Sequence, residues 1–290
     1  MRPPLVLTIS ASDSDGASGI QADLKTLTAL GSYGASAVTL VQAVNPQGSR
    51  AVHYLPADLV GAQIDAVAED LLLDVTKIGV LGSAAVVGIV AEAIRAHGTR
   101  LGRLLLDPVM TSSDGTALIS AQGAAAMREQ LLPLVHVLTP NIAEAAQLLG
   151  RARATSIDEM REQALALRAL GPSTVLITGG GLDGEDAVDV LVHDGGTDLL
   201  RARRRADRSV RGAGATLSAA IAAQLARIAE FERAGELTEI GAPGRDDDMV
   251  TIVASAKEFL ASALENAEGW RLTRGGGAQV VNQLITLDKD

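Results

Sequence analysis

Two kinds of apolar pattern alternate along the chain. Short runs rich in Val, Ile and Leu are typical of buried strands, and longer Ala-rich amphipathic segments are typical of the helices that cover them. The pattern predicts strands near 4–10, 36–43, 75–80, 103–107, 135–139 and 173–178. It predicts helices near 19–31, 57–73, 84–97, 121–132, 141–149, 156–170, 214–230 and 249–266. This order indicates an α/β fold with a mostly parallel sheet covered on both faces.

One pair of predicted strands has no helix between its members. The runs 188–192 and 199–202 are separated by a short segment that opens with His193, Asp194 and two glycines, which predicts a hairpin. We find no internal repeat or low-complexity tract, so we expect residues 1–290 to form one domain.

Composition excludes several classes of protein. The 290 residues carry a formal net charge of −10 and include only five aromatic side chains, which argues against a nucleic-acid partner. The chain has no Cys, and this excludes disulfides, thiolate metal sites and a cysteine nucleophile. No apolar run approaches the ~20 residues that span a bilayer, so we expect no membrane partner and a soluble, cytoplasmic protein.

The loop after the first predicted strand, residues 10–19, is a candidate ligand site. In parallel sheets, ligands bind where loops leave the carboxyl ends of strands. Small residues let a ligand approach the backbone closely, and Asp13 and Asp23 supply hydrogen-bond acceptors. The alternative is an ordinary loop in which Ser18 caps the next helix.

A Gly-rich turn opens the predicted helix near 214. The backbone N–H groups of Gly212, Ala213 and Gly214 are suited to an anion such as a phosphoryl group, and Arg211 adds positive charge. Further arginines precede it, namely Arg201, Arg203, Arg204, Arg205 and Arg208. For most of these we favour a solvated hairpin edge over phosphate binding.

Asn141 and Glu144 stand three residues apart at a predicted helix start. This spacing is that of a capping box, yet an amide and a carboxylate at the end of a strand could equally organise Mg²⁺ beside a nucleotide. The sequence leaves both interpretations open.

Two other signals are weak. Residues 179–184 match G-x-G-x-x-G, but a strand follows them instead of the helix that a dinucleotide site needs. The four histidines lack ligand spacing, so we predict no His-based metal site.

Several segments together closely resemble the hydroxymethylpyrimidine kinase/hydroxymethylpyrimidine phosphate kinase family of the ribokinase-like superfamily. They are TISASD (8–13), GIQADLKT (19–26), KIG (77–79), DPVM (107–110), TPN (139–141) with EA (144–145), GG (179–180) and GAGATLSAA (212–220). The resemblance implies a three-layer α/β/α sandwich, usually a homodimer. It further implies that MgATP phosphorylates 4-amino-5-hydroxymethyl-2-methylpyrimidine and then its monophosphate, for thiamine biosynthesis. Related kinases act on pyridoxal or pyridoxine.

The resemblance also implies roles for individual residues. The substrate site would comprise Asp13, Gly19, Asp23, Gln42, Val44 and Val109. The nucleotide would lie against Thr178, Gly180, Arg211 and Thr216, with Asn141 and Glu144 near Mg²⁺. The anion hole would be formed by Gly212, Ala213 and Gly214.

The chain departs from the family pattern at three positions. Ala215 stands where the family has a Cys, and the superfamily an Asp, that takes the proton of the substrate hydroxyl. Thr178 stands where Lys is usual. Gln42 and Val44 reverse the usual order, but alternate residues of a strand lie on one face, about 6–7 Å apart. We therefore expect the amide to stay in the pocket but displaced, so that the chain binds a related planar heterocycle in a different pose or binds the family substrate weakly.

The connection 228–248 is longer than in family members, and a solvated surface insertion is the favoured interpretation. Two hypotheses follow for the whole chain. It is a working kinase of reduced efficiency, or it is a non-catalytic, ligand-binding paralogue; a pyridoxal-type kinase is the further alternative.

Overall fold

A nine-stranded sheet forms the centre of the fold. The computed structural model describes residues 2–112, 115–203, 210–234, 248–267, 270, 272 and 279–285. The strands are β1 (Leu5–Asp13), β2 (Tyr33–Asn45), β3 (Gly48–Tyr54), β4 (Val75–Ile78), β5 (Arg103–Leu106), β6 (Val137–Leu138), β7 (Thr174–Ile177), β8 (Asp186–His193) and β9 (Gly196–Arg203). Their order is β3-β2-β1-β4-β5-β6-β7-β8-β9. The strands from β2 to β7 in this order are parallel, while β3, β8 and β9 are antiparallel to their neighbours.

Helices cover both faces of the sheet. They are α1 (Gly19–Ala29), α2 (Ala57–Asp70), α3 (Ala84–His97), α4 (Ala121–Ala126), α5 (Ile142–Leu149), α6 (Ile157–Arg168), α7 (Ala213–Ala234) and α8 (Asp248–Glu265). A short pair, β10 (Val210–Arg211) and β11 (Gln279–Val280), lies apart from the main sheet.

Two apolar cores lie between the sheet and its helices, one on each face of the sheet. Leu7 and Ile9 of β1 pack in the core that includes buried residues of α2 to α6, whereas Val6 packs with α7 and α8. Successive residues of a strand point to opposite faces of the sheet, so each buried strand contributes side chains to both cores. The architecture is an α/β/α sandwich with a mostly parallel sheet, which confirms the predicted fold class.

The strand order reverses at β1. From β1 the chain passes through α1 to β2 on one side, and it returns through α2 to β4 on the other side. In open α/β sheets, a ligand crevice forms at such a reversal, outside the carboxyl ends of the strands. The fold therefore places the loops after β1 and β4 at the natural position for a site.

The sequence pattern missed some strands. β3 is largely exposed at a sheet edge, so it lacks the apolar run that marked the buried strands, and β10 and β11 have two residues each. The predicted hairpin is β8–β9. Of the predicted insertion at 228–248, residues 228–234 continue α7 and Asp248 begins α8, while 235–247 lie outside the described residues. The insertion and the single domain stay predictions.

Close backbone approach joins the β1–α1 loop (14–18) to the start of α7. Gly212 has φ +84°, and a Cβ placed on it would lie 1.8 Å from the carbonyl oxygen of Ala17. Both features require glycine there. Gly214, two residues later, has open space around its Cβ position and no positive φ.

These two glycines form a matched pair for a stability test. We expect Gly212→Ala to lower the free energy of unfolding by more than about 2 kcal/mol, because it adds a backbone clash to the strain of positive φ. We expect Gly214→Ala to leave that free energy unchanged or raise it by up to about 1 kcal/mol. Urea unfolding followed by circular dichroism measures both values. Equal effects of the two substitutions would contradict the close packing of these loops.

Candidate active site

A cavity of about 510 Å³ opens at the carboxyl edge of the sheet. Residues at or just beyond the ends of all six parallel strands line it: Asp13, Gln42, Lys77, Asp107, Thr139 and Thr178. The 212–215 turn at the start of α7 lines the same cavity. The geometry thus brings together segments that are far apart in the sequence.

Asp13 links the β1–α1 loop to the 212–215 turn. Its carboxylate is 2% exposed and accepts hydrogen bonds from the backbone N–H of Ser18 at 2.9 Å and from the Ser18 hydroxyl. The guanidinium of Arg211 lies 3.3 Å from the same carboxylate and also pairs with Asp15. The hydroxyl of Ser18, the residue at the N-cap of α1, thus bonds to Asp13 and makes no capping bond. Asp13 and Arg211 thus hold the β1–α1 loop and the 212–215 turn next to each other.

The wall formed by β2 contains Gln42 and Val44. Both side chains line the cavity, which is the arrangement expected for alternate residues of a strand. Gln42 is 6% exposed, and none of the described residues hydrogen-bonds to its carboxamide. Gly19 and Val109 line the same cavity. Four residues assigned to the substrate site therefore line the same cavity as Asp13, namely Gly19, Gln42, Val44 and Val109.

Asp23 lies behind the cavity wall and does not line it. Its carboxylate is fully buried, lies 2.5 Å from Nζ of Lys77 and accepts a hydrogen bond from the Thr8 hydroxyl at 2.6 Å. Lys77 does line the cavity. Sequence reasoning assigned Lys77 no role, although a lysine between the apolar residues Val75 and Ile78 of a strand was a detectable signal.

Asp107 is a second residue to which sequence reasoning assigned no role. It follows β5, lines the cavity and accepts a hydrogen bond from the Ser218 hydroxyl of α7 at 2.8 Å. Burial raises the pKa of Asp107, while the charge of Lys77 and the hydrogen bond from Ser218 oppose that shift. Asp107 is thus a shielded carboxyl between the sheet and α7.

Asn141 and Glu144 form the capping box that their spacing indicated. Oδ1 of Asn141 accepts from the N–H groups of Ala143 and Glu144 at 2.9 and 3.0 Å, and the Asn141 N–H donates to Glu144 at 2.9 Å. Both residues also line the cavity. Burial, together with the negative charge of Asp107, raises the pKa of Glu144 to about 8. Their role toward a metal ion stays a prediction.

The 212–215 turn lines the cavity with backbone and small side chains, and Ala215 contributes a methyl group. Thr216 is placed differently. It is fully buried, and its hydroxyl accepts a hydrogen bond from Gln283 at 3.1 Å. Thr178 lines the cavity, whereas Gly180 is exposed and is not among the lining residues.

The upstream arginines are only partly described. Arg201 and Arg203 are exposed on the edge strand β9, in agreement with the solvated-edge interpretation. Arg204, Arg205 and Arg208 lie outside the described residues.

Thr139 is a further residue to which sequence reasoning assigned no role. It follows β6 and lines the cavity, and its buried hydroxyl has no hydrogen-bond partner among the described residues. An unpaired buried hydroxyl costs free energy unless a ligand or water satisfies it. The cavity thus offers a hydrogen bond that no described part of the protein uses.

The described residues contain neither a membrane-spanning helix nor a cluster of metal-binding side chains. No helix there has both the length and the apolar character needed to cross a membrane. Within the same ranges, no three His, Cys, Asp or Glu side chains come together as a metal-binding group.

Comparisons with known proteins agree on one family. The family described as phosphomethylpyrimidine kinase matches residues 13–238. The chain is 41% identical over 274 residues to the hydroxymethylpyrimidine/phosphomethylpyrimidine kinase of Rhizobium meliloti, which covers 94% of this chain and 95% of that protein. It is 38% identical over 271 residues to the Escherichia coli protein of the same name, with 93% and 94% covered.

A solved structure shows the same fold. The pyridoxal kinase from Staphylococcus aureus in complex with AMP-PCP and pyridoxal matches with a TM-score of 0.82 at 29% identity, covering 100% of this chain and 96% of that one. The matched family segment contains the cavity residues from Asp13 to Ala215. By sequence and by fold, the chain belongs to the phosphomethylpyrimidine kinase family.

Proposed function

We propose that the chain is an ATP-dependent kinase that phosphorylates hydroxymethylpyrimidine, its monophosphate or both, as a step of thiamine biosynthesis. The relatives named above are kinases of these substrates by name. The observation that carries the proposal is the construction of the cavity, in which a wall suited to a flat polar heterocycle faces a turn suited to a phosphoryl group.

The heterocycle wall is formed by Gln42, Val44 and Val109. A carboxamide donates and accepts hydrogen bonds side by side, as an aminopyrimidine does, and the Gln42 carboxamide is free to pair with such a ligand. Val44 and Val109 supply apolar contact for the ring. This wall supports a planar heterocyclic alcohol as the substrate.

The phosphate side is the 212–215 turn. Backbone N–H groups at the start of the 22-residue helix α7 point toward the cavity end, and the helix dipole favours negative charge there. Phosphoryl transfer depends mainly on positioning and on stabilisation of charge. A retained turn therefore supports turnover even though Ala215 carries no acidic or basic group. The unpaired hydroxyl of Thr139 offers a hydrogen bond to the same ligand.

Glu144 is the residue that would hold Mg²⁺, and Asn141, whose Oδ1 already accepts two backbone N–H groups, would position Glu144 instead of binding the ion itself. Mg²⁺ usually binds one or two carboxylates together with substrate phosphates and water, so a complete protein cage is not required. The Glu144 carboxyl fits, because a cation beside it would offset the burial and the negative charge of Asp107 that raise its pKa. When bound, the ion neutralises phosphate charge.

Stability should depend on pH through Glu144. The pKa of the Glu144 carboxyl is about 8 in the folded state, against an ordinary value of 4.5. Such a group stabilises the fold fully below pH 4.5, and this contribution is lost as the pH rises toward 8. In EDTA, we expect the melting temperature to fall between pH 5 and 8, because this group lowers the free energy of unfolding by at most about 1.4 kcal/mol per pH unit over that range.

Differential scanning calorimetry of the wild type and of Glu144→Gln checks this expectation. The Gln variant should show a flatter profile, and MgATP should flatten the wild-type profile. An unchanged slope in the Gln variant would show that another group causes the pH dependence.

Gln42 should act through binding. We expect Gln42→Ala to raise KM for the heterocycle by about tenfold with little change in kcat, because a lost ligand hydrogen bond is worth about 1–1.5 kcal/mol. Val41→Ala is the matched control, since Val41 neighbours Gln42 but is 45% exposed and does not line the cavity. Calorimetric titration giving tight hydroxymethylpyrimidine binding in both variants would contradict a role for the amide.

The central test measures ATP consumption with hydroxymethylpyrimidine, with its phosphate and with pyridoxal, for the wild type and Ala215→Cys. We expect the wild type to turn over with at least one of the two pyrimidines. Turnover only in the Cys variant would identify a non-catalytic paralogue, and turnover only with pyridoxal would identify a pyridoxal-type kinase. The homodimer and the cytoplasmic location stay predictions from the sequence.

A further inference from the structure

The proposed reaction requires a proton acceptor, and the 212–215 turn supplies none. The substrate hydroxyl must lose its proton when it bonds to phosphorus, and a positioned base typically contributes about 10²–10⁴-fold to the rate. Gly212, Ala213, Gly214 and Ala215 have no ionisable side chain. Any protein base must therefore come from another cavity wall.

Most ionisable groups on the cavity wall are already engaged. Asp13 is held by Ser18 and Arg211. Glu144 accepts the backbone N–H of Asn141 as part of the capping box. Lys77 is paired with Asp23. Among the described residues, Asp107 and Glu144 each accept one hydrogen bond, and Glu144 is the carboxyl assigned to Mg²⁺, so Asp107 is the carboxyl left for proton transfer.

Asp107 has one hydrogen-bond donor among the described residues. The Ser218 hydroxyl donates to its Oδ2 at 2.8 Å, and no described group donates to Oδ1. Asp107 is 5% exposed, so the carboxylate is shielded from bulk water. A shielded carboxylate with one free oxygen on the cavity wall is equipped to accept a proton from a ligand.

The position of Asp107 beside α7 also suits a proton acceptor. Ala215 and Ser218 are three residues apart on the helix, so their side chains neighbour each other on one face. The Ser218 hydroxyl lies 2.8 Å from Oδ2 of Asp107, 2.9 Å from the carbonyl oxygen of Gly214 and 3.2 Å from that of Ala215. Ser218, which lies one helical turn after Ala215, thus contacts the Asp107 carboxylate from this face of α7.

We propose that Asp107 is the catalytic base of this kinase, with Ser218 as its positioning residue; the inference rests on the proposed function. The substrate oxygen forms a bond to the γ-phosphorus of ATP while the bond from that phosphorus to the bridging oxygen breaks. The electron pair of the broken bond leaves with ADP. The hydroxyl proton moves to the Asp107 carboxylate, which later releases it to solvent.

The surroundings of Asp107 support this role. The charged groups that face it from packed elements are Lys77 on β4, Asp23 on α1 and Glu144 on α5. The net effect of its burial and these neighbours raises the pKa of Asp107 from its ordinary value, which increases its affinity for a proton.

The test combines removal of this base with addition of another. We expect Asp107→Asn to lower kcat about 10²–10⁴-fold with KM for ATP changed less than about threefold. We expect Asp107→Asn/Ala215→Cys to regain at least about tenfold in kcat, because a thiolate on the neighbouring turn of α7 can take the same proton. Asp74→Asn is the control, since Asp74 is a buried carboxylate paired with Arg2 before β4, at the opposite edge of the sheet. It should keep the wild-type kcat.

Calorimetric titration with ADP verifies that each variant is folded. A kcat of Asp107→Asn within about threefold of wild type overturns the inference while the proposed kinase function stands. The inference is also overturned if the double variant stays as slow as the single one and both need more Mg²⁺, since Asp107 would then act on the metal ion. A wild type that consumes no ATP with any of the three alcohols contradicts the kinase function itself, and the inference with it.

Discussion

The buried ion pair between Lys77 and Asp23 is the constraint on which the site depends. Two charges removed from water cost several kcal/mol unless each is paired and hydrogen-bonded, so α1 must pack where Asp23 meets Lys77 and Thr8. This contact ties α1 to the central strands β1 and β4. It also leaves the cation of Lys77 at the cavity floor, where it favours the ionised form of Asp107.

The loops are then held by a second pair of contacts. Arg211 reaches Asp13 across 198 positions of sequence, and Gly212 lets the backbone approach Ala17. Together they place the start of α7 opposite the β2 wall. Under the proposed function, a heterocycle held by Gln42 and Val44 would share one cavity with the helix end that is suited to phosphate, where Ala215 contributes only a methyl group.

The chain belongs to the phosphomethylpyrimidine kinase family, and the positions that the resemblance predicts to differ from the family pattern lie in one place. The ion pairs and glycine contacts that shape the cavity are present, and the changed positions, Gln42, Thr178 and Ala215, all face its interior. Changes confined to the interior of a retained cavity alter ligand pose and proton transfer without disturbing the fold. Under our proposal, Asp107 and Ser218 supply from neighbouring elements the base that the 212–215 turn does not contain.

The sequence by itself determined the α/β class, the buried strands, the capping box at Asn141 and the family. These features depend on the periodicity of apolar residues and on local motifs, both of which can be recognised in short segments of sequence. It did not reveal β3, whose exposed edge lacks an apolar run. Nor could it show that Asp23 faces Lys77, or that Thr216 faces Gln283, instead of a ligand. Those partners lie 54 and 67 residues away, and only tertiary packing decides which buried polar groups satisfy each other and which remain for a substrate.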